Sequence, residues 1–429
     1  MNKILWVTNI LFPEAVGLLT GKPSVVNGSG GWLDSSARSI ISEGEIQLVV
    51  VAPSSLVRTL TKVDGKKIVY YALPCRNERK YYSEFEKIWR QIVDVEKPDI
   101  IHIHGTEFSH GLALLRAKIQ VPTVLSIQGL SEEIGYHFLD GMSYKDVLLN
   151  LSISGLFLAG SPFKQKRKYI KHGLTVEREM IESVQHIIGR TSFDQSHILM
   201  INPNAVYHKC NESLRDAFYE EKIWSYQSCQ KHTIFLSQSS YSIKGFHQVL
   251  KAMPLILAHY PDTIIRVAGT DILSSRTLKQ KCMRSSYANY INRLIHKLGV
   301  KDKVCFTGPL DAARMRDEYL KCNVFVSPSS IENSPNSLGE AQILGVPCIG
   351  SYVGGTPDMI PNPEAGYLYR YSDIIMLASM VCKVFSSEWD STKERQIATV
   401  RHNREKNLRD LLSIYRFIEH NHNEKNNSK

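Results

Sequence analysis

Apolar residues in this chain come in short, nearly continuous runs, separated by longer segments in which they recur at helical spacing. In the first half the runs are Ile4–Phe12, Ile46–Ala52, Ile68–Leu73, Ile100–His104, Thr123–Ile127 and His186–Arg190. Runs so rich in Val, Ile and Leu read as strands buried on both faces, as in a parallel sheet covered by helices. Ser83–Glu96, Ser109–Ile119 and Val176–Val184 are the predicted helices between them. The pattern lapses around residues 200–232, in a polar stretch from Ile201 to Asn211 and a charged segment after it. It resumes with strands predicted at Thr233–Ser237, Ile264–Ala268, Val304–Thr307, Val324–Ser327 and Pro347–Gly350. The intervening predicted helices are Gly245–His259, Tyr287–Leu298, Ala312–Lys321 and Ser337–Leu344. Such β-α-β alternation predicts an α/β chain of two Rossmann-like doubly wound domains, with ligands in a cleft between facing C-terminal strand edges. The expected limits are 1–210 for the first domain and 211–390 for the second. In 391–429, an amphipathic helix at Lys393–Ile418 is expected to pack back towards the first domain, ahead of a disordered tail from Asn421.

A length of 429 residues suits two such domains. Hydrophobic residues at 43% and charged residues at 22% exclude wholesale disorder, and no apolar run reaches the 18 residues of a membrane-spanning helix. The apolar start resembles a secretory signal superficially, but no A-x-A-like site follows it and Pro13 ends the run, so a first buried strand and a cytoplasmic protein are expected. Eight scattered cysteines without a C-x-x-C pair read as buried free thiols. The net charge of +10 suits an anionic partner: nucleic acid, an anionic membrane leaflet or a phosphorylated substrate.

The segment Val326 to Pro347 carries the most chemistry: a buried strand runs into a polar loop and then into a helix whose first turn holds Ser337 and Glu340. One reading is a capping box, with Glu340 folded back on the helix start. The other is an anion site at the helix N-terminus, bracketed by Glu332 and Glu340, with one carboxylate on the sugar of a nucleotide sugar and the other on the ribose diol. The pair Gly354-Gly355 allows close backbone approach to a ligand or simply a tight turn. His102 and His104 share one face of a strand without a visible third metal ligand; His102 reads as a core histidine with a backbone partner, and His104 as a residue lining the cleft. Leu148–Leu158 is mostly apolar, and the basic run Lys164, Lys166, Arg167, Lys168 and Lys171 follows it, a pairing suited to an anionic bilayer or to a plain solvated helix face.

Glu332-x7-Glu340, the intervening Asn333-Ser-Pro-Asn-Ser-Leu-Gly, Gly345-Val-Pro347 and Gly354-Gly-Thr-Pro-Asp358 together resemble the family 4 retaining glycosyltransferases of GT-B fold. Lys244-Gly245, Ala268-Gly269 and Thr307-Gly308 extend the resemblance over most of the second half. The first half is similar more loosely, through Gly28-Ser-Gly30-Gly31-Trp32 and Lys97 to Gly105. The chain looks most like the branch that builds bacterial surface polysaccharides. The resemblance implies that Glu340 holds the nucleotide ribose, Glu332 the donor sugar hydroxyls, and Lys244 the diphosphate. The backbone amides of Asn336, Ser337 and Leu338, the Gly30-Gly31 loop and Gly269 would complete the donor site, with no obligatory metal and no cofactor beyond the nucleotide diphosphate sugar.

Two positions depart from the family pattern. Ser239 stands where an Arg is common, with Arg190 as the candidate replacement or as an acceptor contact, and Gln128 stands where many relatives place a His, which makes it a positioning residue. The implied activity is retaining transfer of a hexose or N-acetylhexosamine to a growing, polyprenyl-diphosphate-linked glycan at the inner face of the cytoplasmic membrane, with the domains closing over the donor. A nucleotide-sugar epimerase or hydrolase of the same fold is the alternative. An NAD-dependent oxidoreductase fits poorly, because Gly28-Ser-Gly30-Gly31-Trp32-Leu33 lacks the last glycine of G-x-G-x-x-G and follows the first strand by about 16 residues. No motif that reads nucleic acid is present.

Overall fold

The computed structural model describes residues 2–22, 31–42, 46–152, 161–274, 277 and 284–427. The chain forms two Rossmann-like units: residues 1–131, 171–213 and 403–429 make the first, and residues 132–170 and 214–402 the second. This differs from three consecutive blocks, because 132–170 groups with the second unit and that unit runs on to 402. Hydrogen bonds explain the grouping: Ser242 Oγ donates to Phe138 O, Ser330 Oγ to His137 O (2.9 Å), and His247 Nε2 lies 3.0 Å from Asp140 O.

Among the described residues, the first unit holds β1 (Lys3–Val7), β2 (Gln47–Ser54), β3 (Thr61–Asp64), β4 (Ile68–Pro74), β5 (Ile100–His104), β6 (Thr123–Ser126), β7 (His186–Gly189) and β8 (Val206–Lys209). They form one sheet in the order β3-β4-β2-β1-β5-β6-β7-β8, parallel except for the β3–β4 pair. Both faces are covered, as the unbroken apolar runs require. Leu5 and Val7 point into a core with Val49, Ile101, Ile103 and Trp89; Ile4 and Trp6 point the other way, towards Leu33, Ala37 and Ile40 of helix Gly31–Ser42 and Leu412, Tyr415 and Ile418 of helix Arg404–Asn427. The two edge strands, β3 and β8, are polar and carried no strand signal in the sequence.

The second unit holds β9 (Thr233–Leu236), β10 (Ile264–Val267), β11 (Val304–Phe306), β12 (Val324–Ser327), β13 (Cys348–Ser351) and β14 (Tyr367–Tyr369), in the all-parallel order β11-β10-β9-β12-β13-β14. Cys305 lies on the edge strand β11 and is exposed, Cys382 is half-buried, and Cys75, Cys210, Cys229, Cys322 and Cys348 are buried; Cys282 lies outside the described residues. The expected helix Lys393–Ile418 is two helices, Ser391–Arg401 and Arg404–Asn427. The break separates two loyalties: Ala398 joins the core of the second unit, whereas Tyr415 joins that of the first. The second of these helices continues to Asn427, past the start of the expected disordered tail. Among the described residues, no helix is long and apolar enough to cross a membrane.

Candidate functional site

In the second unit, the loops that leave the C-terminal ends of the neighbouring strands β9 and β12 are tied together. Ser330 N donates to Ile243 O at 2.7 Å, and Gly245, at φ +68°, lies so close to Pro328 that a Cβ would run into the Pro328 carbonyl oxygen. The loop contact brings Lys244 to Glu332: the ammonium donates to Glu332 Oε1 at 2.5 Å, and Ser329 Oγ donates to the same oxygen at 2.7 Å. Burial works to lower the Lys244 pKa, but the Glu332 carboxylate outweighs it and holds the pKa above its ordinary value. From the other side, Gly355 N donates to Glu332 O at 2.9 Å, and Gly354, at φ +47°, has no room for a side chain against that same carbonyl. The glycine pair therefore braces Glu332.

Glu340 sits in helix Asn336–Leu344, below its first turn, and is buried. It makes no capping box. The residue before the helix is Pro335, which has no side-chain cap, and Glu340 instead accepts two hydrogen bonds from Arg215, at 2.7 Å from Nε and 2.8 Å from Nη2. Burial raises the Glu340 pKa, and Arg215 only partly offsets this. Arg215 was not singled out in the sequence because it lies in the charged stretch after Asn211, where nothing marks its partner. The expected phosphate cradle is altered at one place: the Leu338 amide donates to Pro335 O (3.0 Å) inside the first turn, which leaves Asn336 and Ser337 as the first residues of the helix. Gly269, at φ +100°, bridges to Gly308 beyond the ends of β10 and β11.

In the first unit, Gln128 and Arg190 meet at the ends of β6 and β7 on a residue that sequence reasoning missed, Glu212. Arg190 Nη1 donates to Glu212 Oε2 (2.5 Å), Gln128 Nε2 donates to Glu212 Oε1 (2.8 Å), and Arg190 Nη2 reaches Gln128 O at 3.1 Å. The charge of Arg190 is thus balanced by Glu212. His102 has side-chain partners, Tyr415 Oη (2.5 Å) and Ser126 Oγ (2.6 Å), rather than a backbone one. His104 is buried beside it. Gly31 opens helix Gly31–Ser42, and Gly30 lies outside the described residues. Near the end of β5, Glu107 accepts from Asn9 Nδ2 at 2.9 Å; burial pushes its pKa up to about 7, with Glu177 adding to the rise.

Of the basic run, Lys164, Arg167, Lys168 and Lys171 project from helix Pro162–His172. Lys166 is half-buried and donates to Tyr136 O at 3.2 Å. Beside this helix, Phe163 stacks on Tyr144 (6.2 Å, 11°), and Tyr144, Leu148 and Leu149 are 76%, 58% and 56% exposed. Residues 153–158 of the apolar segment lie outside the described residues.

The family model described as Glycosyl transferases group 1 matches residues 219–413, which include both Lys244-Glu332 and Glu340. An uncharacterized glycosyltransferase of Methanocaldococcus jannaschii is 24% identical over 280 residues, 64% of this chain and 63% of its own length. The N-acetyl-alpha-D-glucosaminyl L-malate synthase of Bacillus anthracis is 31% identical over 98 residues, 23% of this chain and 25% of its own. The chain therefore spans under two thirds of these curated relatives. Among solved structures, sucrose-phosphate synthase from Thermosynechococcus elongatus matches with a TM-score of 0.67 at 15% identity, covering 97% of this chain and 99% of that one. The Anabaena HepE protein in complex with UDP and glucose matches with a TM-score of 0.63 at 13% identity, covering 96% and 99%. These likenesses establish the GT-B fold, with two parallel-sheet Rossmann-like domains.

Proposed function

We propose that this chain is a retaining glycosyltransferase, moving a hexose or N-acetylhexosamine from a nucleotide diphosphate sugar to a glycan acceptor. The observation that carries this reading is the meeting of Lys244, Glu332 and the helix that bears Glu340 on the C-terminal ends of two adjacent strands. A diphosphate seated at that helix N-terminus would compete with Glu332 for the Lys244 ammonium and free the carboxylate for the hydroxyls of the donor sugar. In the reaction, the bond between the anomeric carbon and the β-phosphate oxygen breaks with its electrons passing to phosphate. Lys244 offsets that charge. The acceptor oxygen bonds to the same face of the anomeric carbon, and its proton passes to the departing phosphate, so no protein base is required and Gln128 suffices as a positioning group.

The acceptor is a growing, polyprenyl-diphosphate-linked glycan of capsule, O-antigen or exopolysaccharide synthesis, met at an anionic membrane surface. The exposed Tyr144, Leu148 and Leu149 beside Lys164, Arg167 and Lys168 support this part of the reading, because apolar anchors next to basic residues suit the interface of an anionic bilayer. Flotation with anionic and neutral vesicles tests it: binding restricted to the anionic vesicles, and weakened in Lys164→Ser/Arg167→Ser/Lys168→Ser, is expected, whereas equal retention in the variant refutes membrane docking.

The donor site is tested by thermal shift with UDP, GDP, ADP, their sugar conjugates, NAD and a short DNA duplex, on the protein and on Glu340→Gln. A ligand at a hundred times its Kd stabilises by about 2.7 kcal/mol, a readily measured shift. One nucleoside diphosphate family should raise Tm in the protein and much less in the variant. A response to NAD or DNA alone would refute the transferase reading.

A further inference from the structure

We propose that the Tyr241 hydroxyl is a second donor to the diphosphate of the donor substrate, acting beside Lys244 on the phosphate oxygens that gain charge as the sugar leaves. The inference rests on the transferase reading and adds a residue to that same site.

The need for a second donor follows from charge. The diphosphate of a nucleotide sugar is doubly charged and gains a further charge as it departs. Lys244 meets it with a single positive charge, and the Glu332 carboxylate stands against that charge. Arg215, the guanidinium on Glu340, is committed to that carboxylate through two hydrogen bonds. Ser239, two residues ahead of Tyr241, is buried and carries no charge.

Tyr241 belongs to the same piece of backbone as Lys244. It immediately precedes the short 3-10 helix Ser242–Lys244, and the Lys244 amide donates to its carbonyl at 3.1 Å. That turn is held from two sides, by Ser242 Oγ donating to Phe138 O and by Ser330 N donating to Ile243 O, so the two side chains start from fixed points. The Lys244 ammonium lies 5.9 Å from the centre of the Tyr241 ring.

The hydroxyl is what marks Tyr241 for a ligand. Tyr219, Tyr319 and Tyr371 of the same unit each donate to a backbone carbonyl. Tyr241 is 39% exposed, and its hydroxyl has no hydrogen-bond partner among the described residues. Partial burial raises the phenol pKa; of the two charges beside it, Lys244 lowers it and Glu332 raises it, and the net rise keeps the proton in place at neutral pH. A neutral O–H on a phosphate oxygen makes a charge-assisted hydrogen bond, which strengthens as that oxygen takes up the electrons of the breaking bond. An uncharged donor also suits the empty site, where a second cation would repel Lys244.

Calorimetric titration of UDP, GDP and ADP, and of the corresponding monophosphates, into the protein and Tyr241→Phe tests the assignment. The substitution removes one oxygen that has no partner in the fold, so the melting temperature without nucleotide should stay where it is. The nucleoside diphosphate that binds is expected to lose about 10- to 100-fold in affinity in Tyr241→Phe, and its monophosphate, which lacks the phosphate that Tyr241 touches, less than about threefold. Unchanged diphosphate affinity in the variant, or an equal loss for monophosphate and diphosphate, would overturn the assignment and leave the transferase reading standing. Binding of no nucleotide by the unsubstituted protein would remove the transferase reading, and the assignment with it.

Discussion

The two units are built on the same parallel-sheet plan and both bury an ion pair beside their strand ends, yet the first adds a cluster of neutral imidazoles to it. Beside Arg190 and Glu212, the first packs His102 and His104 against aromatic rings and hydroxyls and seats His110 on the Thr8 carbonyl. The second buries opposite charges in contact, Arg215 with Glu340 and, less deeply, Lys244 with Glu332. A neutral hydrogen-bonded group costs little desolvation but holds only while it stays neutral; an ion pair costs more to bury, and leaves a strong charge when one partner is removed. A shared fold thus carries interiors that differ in their number of buried neutral imidazoles, and so in their response to acid.

Acid should separate the units most. Burial pushes the pKa of His102 down to about 3 and of His110 to about 4, and it depresses His104, His172 and His208 as well. Below about pH 6.5 the unfolded chain binds protons that these native histidines refuse, so the first unit loses stability as pH falls, by roughly 1.4 kcal/mol per pH unit for each buried histidine. Glu107, raised to about 7, opposes this with a single site. In the second unit burial lowers His247, to about 3, while it raises Glu340 and Glu394, whose contribution grows as pH falls. Hydrogen exchange at pH 5 and pH 7 should therefore show the first unit opening first; loss of protection in the second unit before the first would contradict the comparison.

Glu340→Ala comes next. It leaves Arg215 buried without its partner and should destabilise the second unit by about 3–5 kcal/mol, read as a drop in the urea midpoint. Tyr415→Phe strips the Trp6 N–H of its acceptor and His102 of its donor, and a loss of about 1–3 kcal/mol confined to the first unit is expected from the same denaturation curves. The smallest effect belongs to Arg116→Ala. Its pair with Glu179 is exposed on both sides, 43% and 39%, and removal should shift stability by less than about 1 kcal/mol; a larger change would mean that exposed pairs do matter in this fold.

What was legible in the sequence follows the same divide. The central strands of both sheets were readable, because burial on both faces demands unbroken Val, Ile and Leu. The edge strands Thr61–Asp64 and Val206–Lys209 were not, since one open side permits ordinary polar residues. Lys244, Glu332 and Glu340 stood out through fixed local spacing, whereas Arg215, Glu212 and Tyr415 act across 125, 22 and 313 positions from Glu340, Arg190 and His102, and no local pattern records such partners. The capping box at Ser337 and Glu340 was a sound local inference that lost to a distant guanidinium.

The division of the chain also sets a timetable. Tyr415, which bonds Trp6 and His102, reaches the first unit only after residues 214–402, the larger part of the second unit, have been made. At about 5–20 residues per second, a ribosome needs roughly 10–40 s for that stretch. Throughout that interval the strip of sheet around Trp6 lacks its final helix, so the half of the protein that is translated first is the half completed last, and its exposed indole face is where a nascent-chain chaperone would be needed.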